Sequence, residues 1–478
     1  MKAQMVWPSL LTAVAVCFQL PDARFSVWLV GGYLVFAAAT IGILPILTLV
    51  LLFGVGFLAL IAQTTHWSVT IMALAISVVC IGDVIISPHS RTKAALVRLR
   101  APLIWLTLLA VLATVSYCVS ERTDYGEHKL LYFLAWGYIY FLCAVLVLIQ
   151  DVVMRTYWLC VALVLLSAHY AVLNGTPITV GRTYIAIAGG LRNLDGFDAI
   201  GEARLFGCVL VVAVCWLMLD RLNLSRALLV IGAAGVAAPI VAASQTRQVL
   251  LALGFVLVVW LPIVAVRQSR RAQRMRGTRE GKTSKWIVLA CVLFASGLAI
   301  AAGRQMWNDG SLKLRLEGEH NVGADLDSLG GDRLEMWAFA VQELEAHPMT
   351  GWGWGDYRFL APDDWPHNLM LEAWGEMGLL GLGLCLYGVY KMLLGICKTV
   401  SYQGMMWSAG AIVMLFVVQV SGDFAGNSLL VFYIVLYWAG SGVIPRPHST
   451  AVSGRYPRLL KQPLRDDRPG ECDDAKAL

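Results

Sequence analysis

Apolar blocks about as long as a bilayer is thick recur along this chain, and no other feature restricts its fold so far. Ala101 to Ser120, Ala203 to Leu219, Val249 to Val266 and Trp286 to Gly303 run nearly free of charge. A helix needs roughly 20 apolar residues to cross the hydrocarbon. Composition agrees, because 58% of the 478 residues are hydrophobic and 14% charged, and the apolar residues are gathered in blocks rather than scattered as in a water-soluble core. The pattern predicts an all-α polytopic membrane protein of about 12–14 transmembrane helices. Spans are expected to start near Val6, Phe25, Ile43, Ser68, Ala101, Leu130, Thr156, Ala203, Ala227, Val249, Trp286, Leu371, Met406 and Leu429.

Charge sets the direction in which the spans alternate. The formal net charge is +6, but its distribution says more than its sum. Arg267, Arg270, Arg271, Arg274, Arg276, Arg279, Lys282 and Lys285 crowd one loop beside a single acid, Glu280, which reads as cytoplasmic by the positive-inside rule. Arg91, Lys93, Arg98 and Arg100 mark a second cytoplasmic loop. Arg446, Arg455, Arg458, Lys461, Arg465 and Arg468 mark a tail. No run is interleaved with aromatics as a nucleic-acid groove would be, so no nucleic-acid partner is expected. Alternation puts both termini in the cytoplasm and divides the chain into spans over 1–303, a large extracytoplasmic loop over 304–367, spans over 368–445 and a tail over 446–478 expected to be flexible. A smaller outer loop is expected at about 174–202.

Of the eleven cysteines, ten fall in or beside apolar blocks and Cys472 lies in the tail, which predicts neither disulfides nor a thiol-bound metal. The first apolar run lacks a small-residue cleavage site and is expected to stay as a helix. No fixed-period repeat or nucleotide-binding fingerprint occurs.

The large outer loop differs in character, with twelve acids against five bases. Asn308 to Gly331 is polar and punctuated by glycine, hence irregular. Asp332 and Glu335 form a D-x-x-E pair, and Leu334, Trp337, Val341 and Leu344 recur at helical spacing, which predicts a helix through Ala346 that Pro348 stops. Gly351-Trp-Gly-Trp-Gly355 then reads as flexible, with exposed indoles.

Four sets of residues could carry chemistry. Arg333 lies in the first turn of the loop helix, where a cation is disfavoured by roughly 0.3–1 kcal/mol unless an anion joins it. Free N–H groups and a guanidinium there suit phosphate, and pairing with Glu335 or Asp332 is the plainer alternative. Arg247, in Ser244-Gln-Thr-Arg247, ends a span within a polar cluster that marks a cavity or lets the charge snorkel outward. His367, beside Asn368 at the mouth of a span, has an imidazole able to take a proton near neutrality, or is merely solvated. Arg182, Arg192 and Arg204 bracket the smaller loop and either hold a second anion or are ordinary loop residues. Asp325-Leu-Asp327 is too short a pattern to define a metal site.

In order along the chain, Ser244-x-x-Arg247, Asp332-Arg333-x-x-x-Trp337, Pro348-x-x-Gly351-x-Gly353-x-Gly355-x-x-x-Phe359, His367-Asn368-x-x-Leu371-Glu372 and Gly375-x-x-Gly378-Leu-x-Gly381 resemble the O-antigen ligase and O-antigen polymerase superfamily. The resemblance spans about Arg204 to Tyr390. It implies a GT-C-like membrane glycosyltransferase with a large periplasmic loop containing short helices, at the bacterial inner membrane. Such an enzyme takes a glycan from undecaprenyl diphosphate and passes it to lipid A-core, to another repeat unit or to a protein hydroxyl. By matched position Arg247 and Arg333 hold the diphosphate and His367 contacts or deprotonates the acceptor. Arg204, Arg192, Asn368 and Trp337 are further candidate contacts. Two arginines can neutralise a leaving diphosphate without a metal, so no cofactor is expected. Lipid A-core is the favoured acceptor, and direct attack inverts the anomeric carbon.

A transporter or flippase would instead place ionisable residues at mid-membrane and show symmetric halves. Asp83 and Asp423 are the few candidates for such sites, and no internal symmetry is evident.

Overall fold

The structure, a computed structural model, describes residues 3–18, 23–54, 66–86, 90–149, 159–168, 199–219, 224–243, 247–264, 266, 331–357, 366, 368–399, 402–419 and 427–440. All belong to one compact unit, Met1–Gly442. Arg192, His367, the acidic pair Asp325 and Asp327, the expected span after Trp286 and the tail lie outside the described residues.

Among the described residues the regular elements are all helical. In chain order they are α1 (Ala3–Cys17), α2 (Ala23–Ile41), α3 (Ile43–Leu49), α4 (His66–Ile86), α5 (Ser90–Val119) and α6 (Asp124–Ile149), then α7 (Leu159–Ala168). There follow α8 (Ala199–Leu219), α9 (Leu224–Ala243), α10 (Arg247–Phe255), α11 (Gly331–Ala346), α12 (Leu369–Lys398), α13 (Tyr402–Val417) and α14 (Leu429–Gly440). Wider π turns extend α3 over Val50–Gly54 and α10 over Val256–Trp260. α8 opens at Ala199, so the last residues assigned by sequence to the smaller loop are helical.

Three helices among the described residues are long and apolar enough to cross a membrane: Val97–Val119 within α5, Asp124–Ile149 and Leu369–Lys398. The other apolar helices are shorter. α5 illustrates why such a helix belongs in lipid. Its inner face buries Trp105, Leu106, Leu109 and Ala113, while Ile104, Leu108, Val111 and Val115 recur on the exposed side. A helix apolar all round has no face to turn to water.

Close helix approach rests on small residues, as expected where both surroundings and core are apolar. α5 is tied to α12 by the Trp105 indole N–H, which donates to Leu384 O at 2.8 Å, and Gly388 leaves room for that ring, since a Cβ there would lie 2.5 Å from it. Gly395 and Gly410 admit Tyr437 and Tyr433 of α14 in the same manner. α6 packs between α5, α4 and α14, whereas α13 packs on α8 and α10.

Candidate functional site

At one end of the bundle the segment after α11 meets the start of α12, and the keystone of that contact is a break in α12. Gly378 has φ 67 and ψ −171, which interrupts the helix. An uninterrupted helix would send the Leu379 N–H to Gly375 O. Here Leu379 N–H donates to Met349 O at 3.3 Å, and Gly375 O accepts instead from Trp352 N–H at 2.7 Å and Gly353 N–H at 3.1 Å. The carbonyl of Glu376 takes the Ser116 hydroxyl of α5. The Leu379 N–H and the Gly375 and Glu376 carbonyls at the kink are thus claimed by neighbours, as buried backbone requires.

The partner of this kink is the segment that follows α11. Gly351, Gly353 and Gly355 all adopt positive φ, which glycine reaches without steric cost. A Cβ on Gly351 would collide with Gly375 O, and one on Gly355 would lie 2.7 Å from Gly126 Cα. Trp354 is 0% exposed; its indole donates to Gly126 O at 3.1 Å at the start of α6, and its ring stands 5.7 Å from that of Phe133. The Trp374 indole of α12 donates to Pro348 O at 2.7 Å. The sequence reading of a flexible stretch with exposed indoles is therefore corrected. Five glycines in two runs, Gly351, Gly353 and Gly355 with Gly375 and Gly378, let two backbones meet closely enough to exchange hydrogen bonds.

Asp356 completes this contact. Its Oδ2 accepts the Glu121 N–H at 3.4 Å, between α5 and α6. Burial pushes the carboxyl above the ordinary range, against the lowering effect of that N–H.

α11 ends at Ala346 as predicted and buries Leu344 of the expected face, but the rest of its buried stripe differs. Met336, Ala340 and Leu344 are buried, while Val341 is exposed. Tyr357 sets this rotation: its hydroxyl donates to Met336 O at 3.0 Å and its ring meets Phe339 edge-on. The rotation leaves Trp337 partly exposed, with its indole N–H on Pro366 O at 2.8 Å. Arg333 stands one turn before Trp337 on the same helix, a spacing that puts two residues on one face. Pro366 immediately precedes His367 in the chain.

Asn368 is the N-cap of α12, its side-chain oxygen accepting from Met370 N–H at 3.0 Å and Leu371 N–H at 3.1 Å. Its amide donates to Gln419 O at 3.2 Å, and Leu369 N–H donates to Val418 O at 3.2 Å. These bonds fix the start of α12 on the end of α13. Arg247 opens α10, which packs along α13. Arg204 near the start of α8 is 3% exposed and donates to Asn427 Oδ1 at 2.9 Å, so its guanidinium ties α8 to the entry of α14.

A group that sequence reasoning missed lies beneath this assembly. Lys129 of α6 pairs with both Glu372 and Glu376 of α12, all three side chains almost wholly buried. The signal was present: two glutamates four apart fall on one face of an apolar span, where like charges repel unless a cation is supplied. No group of three or more His, Cys, Asp or Glu able to hold a metal occurs among the described residues.

The fold and this end together define a helical membrane protein with a structured loop helix clamped to the mouth of a span. Residues 232–386 match the family model described as O-antigen ligase. That match runs from α9 through most of α12 and supports the O-antigen ligase/polymerase superfamily to which the motifs pointed. No curated protein matches the chain.

Proposed function

We propose that this end of the bundle transfers a glycan from undecaprenyl diphosphate to an acceptor hydroxyl, with lipid A-core as the favoured acceptor, at the periplasmic face of the inner membrane. The observation that carries the reading is the bond from Trp337 to Pro366 O at 2.8 Å. It joins the helix bearing Arg333, a turn away, to the residue preceding His367. An anion-binding guanidinium and a proton acceptor drawn from opposite ends of a loop segment are what a diphosphate-leaving reaction needs in one place.

Arg247 and Arg333 take the charge that grows on the diphosphate as the bond from its oxygen to the anomeric carbon breaks. The acceptor oxygen forms the new bond from the opposite side, inverting that carbon, and His367 takes the hydroxyl proton. The arginines supply the charge neutralisation that a divalent cation supplies elsewhere, so the reaction runs without a metal.

Purified variants test the roles. Arg333→Ala and Arg247→Ala are each expected to weaken donor binding and to cost about 10²–10³ in rate, the scale of losing one transition-state donor. His367→Ala is expected to retain donor binding and lose about 10²–10⁴ in rate. Full activity in His367→Ala removes the base assignment, and unchanged donor binding in both arginine variants removes the anion site.

A further inference from the structure

The buried cluster of Lys129, Glu372 and Glu376 does more than neutralise charge. A cluster of this kind is a poor way to gain stability, since well-packed apolar residues of the same volume do as well or better. What distinguishes it is the set of segments that it reaches.

From α12 it holds the first two turns. Glu372 lies one turn below the cap, its N–H bonded to Asn368 O at 2.9 Å, so a pull on Glu372 is a pull on the backbone next to His367. From the loop it holds Gly355, whose N–H donates to Glu376 Oε1 at 3.4 Å. From α6 the Lys129 ammonium sits 5.6 Å above the Trp354 ring and 5.8 Å above that of Tyr125, contacts that favour a cation over an aromatic face. Gly355 and Tyr357 lie in the segment after α11, and Tyr357 grips Met336 O, one turn from Arg333. The two segments that bear Arg333 and His367 therefore lead back, by separate chains of contacts, to one ammonium group.

We propose that Lys129, acting through Glu372 and Glu376, is a positioning residue: it sets the register of the α11 and glycine-tryptophan segment against the mouth of α12, and with it the distance between the anion-binding and proton-accepting groups. This rests on the glycan-transfer reading for its catalytic meaning, though the clamp itself can be read without activity. A displacement of about 1 Å between reacting groups can cost on the order of 10²-fold in rate.

The test compares wild type with Lys129→Met/Glu372→Gln/Glu376→Gln, which removes the three charges together, and with Lys129→Met alone. The single variant removes the Lys129 charge from beside two buried carboxylates and can fail to fold; the triple variant removes the three charges together. In the folded triple variant the amides of Trp352, Gly353 and Gly355 are expected to exchange hydrogen about tenfold or more faster, with α8 amides unchanged. Its kcat is expected to fall about 10–100-fold, while donor KM stays within about threefold, the pattern of lost alignment rather than lost binding. Unchanged amide protection overturns the clamp, whether or not wild type transfers glycan. Loosened amides with wild-type kcat, or a loss confined to donor KM, overturn the positioning role. Absence of transfer by wild type counts against the glycan-transfer reading, and the exchange rates then decide the clamp alone.

Discussion

At the scale of single residues, glycine and a buried carboxyl carry the most pointed consequences. Gly378 combines a positive φ with a neighbour, Met349 O, into which a Cβ would run. Gly378→Ala is therefore expected to cost about 2 kcal/mol or more, from backbone strain and overpacking together, read as a lower unfolding midpoint in detergent. Gly383→Ala, where nothing lies near the added Cβ, is the matched control and should leave the midpoint within experimental scatter of wild type or above it. Equal midpoints for the two variants contradict the account of the kink. Asp356 gives a pH signature. Its carboxyl is raised by burial, so it lends stability that is full below the ordinary carboxylate range and is lost as pH rises through the raised native value. Asp356→Asn removes this contribution, and its unfolding midpoint should fall less steeply than that of wild type from the acid range to neutrality. A steeper fall would falsify the assignment.

Elements differ in how much of them their own sequence specifies. α11 was legible, because Leu334 to Leu344 repeats at helical spacing and Pro348 ends it, and it runs Gly331–Ala346. Its buried face was legible only at Leu344. Counting large apolar side chains selected Trp337 and Val341, whereas Tyr357, eleven or more residues beyond that helix, selects Met336 and Ala340. The glycine-tryptophan segment was legible as unusual but misread as mobile, since the partners that immobilise it, Gly126 and Gly375, come from α6 and α12. Local composition carries no mark of such distant contacts. Lys129 escaped notice for the same reason, a single charge inside an apolar block whose partners lie in another span. Among the site candidates, Asn368 proved to be a helix cap and Arg204 an interhelical tie. Trp337 makes the one element-scale bond that the functional reading depends on. Trp337→Phe keeps an aromatic side chain and removes the N–H on Pro366 O; it should cost only about 1 kcal/mol in stability, yet lower transfer about tenfold or more if that bond sets the spacing of Arg333 and His367. Unaltered transfer in a folded Trp337→Phe protein disconnects α11 from the chemistry.

At the scale of the whole molecule, the described helices build a scaffold whose exposed faces are apolar, as on α5, and whose polar work is gathered at one end. The α5–α6 turn, the segment after α11, the start of α12 and the end of α13 meet there through the bonds at Glu121, Gly126, Gly375 and Asn368. The central claim is that this end performs metal-independent transfer from undecaprenyl diphosphate. The most direct measurement is transfer by the purified protein reconstituted in lipid with a glycan on undecaprenyl diphosphate and excess EDTA, lipid A-core being supplied in one reaction and only further donor in another. The account predicts glycan on lipid A-core in the first reaction, at a rate that EDTA does not change. Lengthened chains on the carrier in the second would shift the acceptor to the growing glycan, as in a polymerase. Loss of transfer on chelation would contradict the two-arginine mechanism, and no transfer in either reaction by well-folded protein would contradict the claim itself.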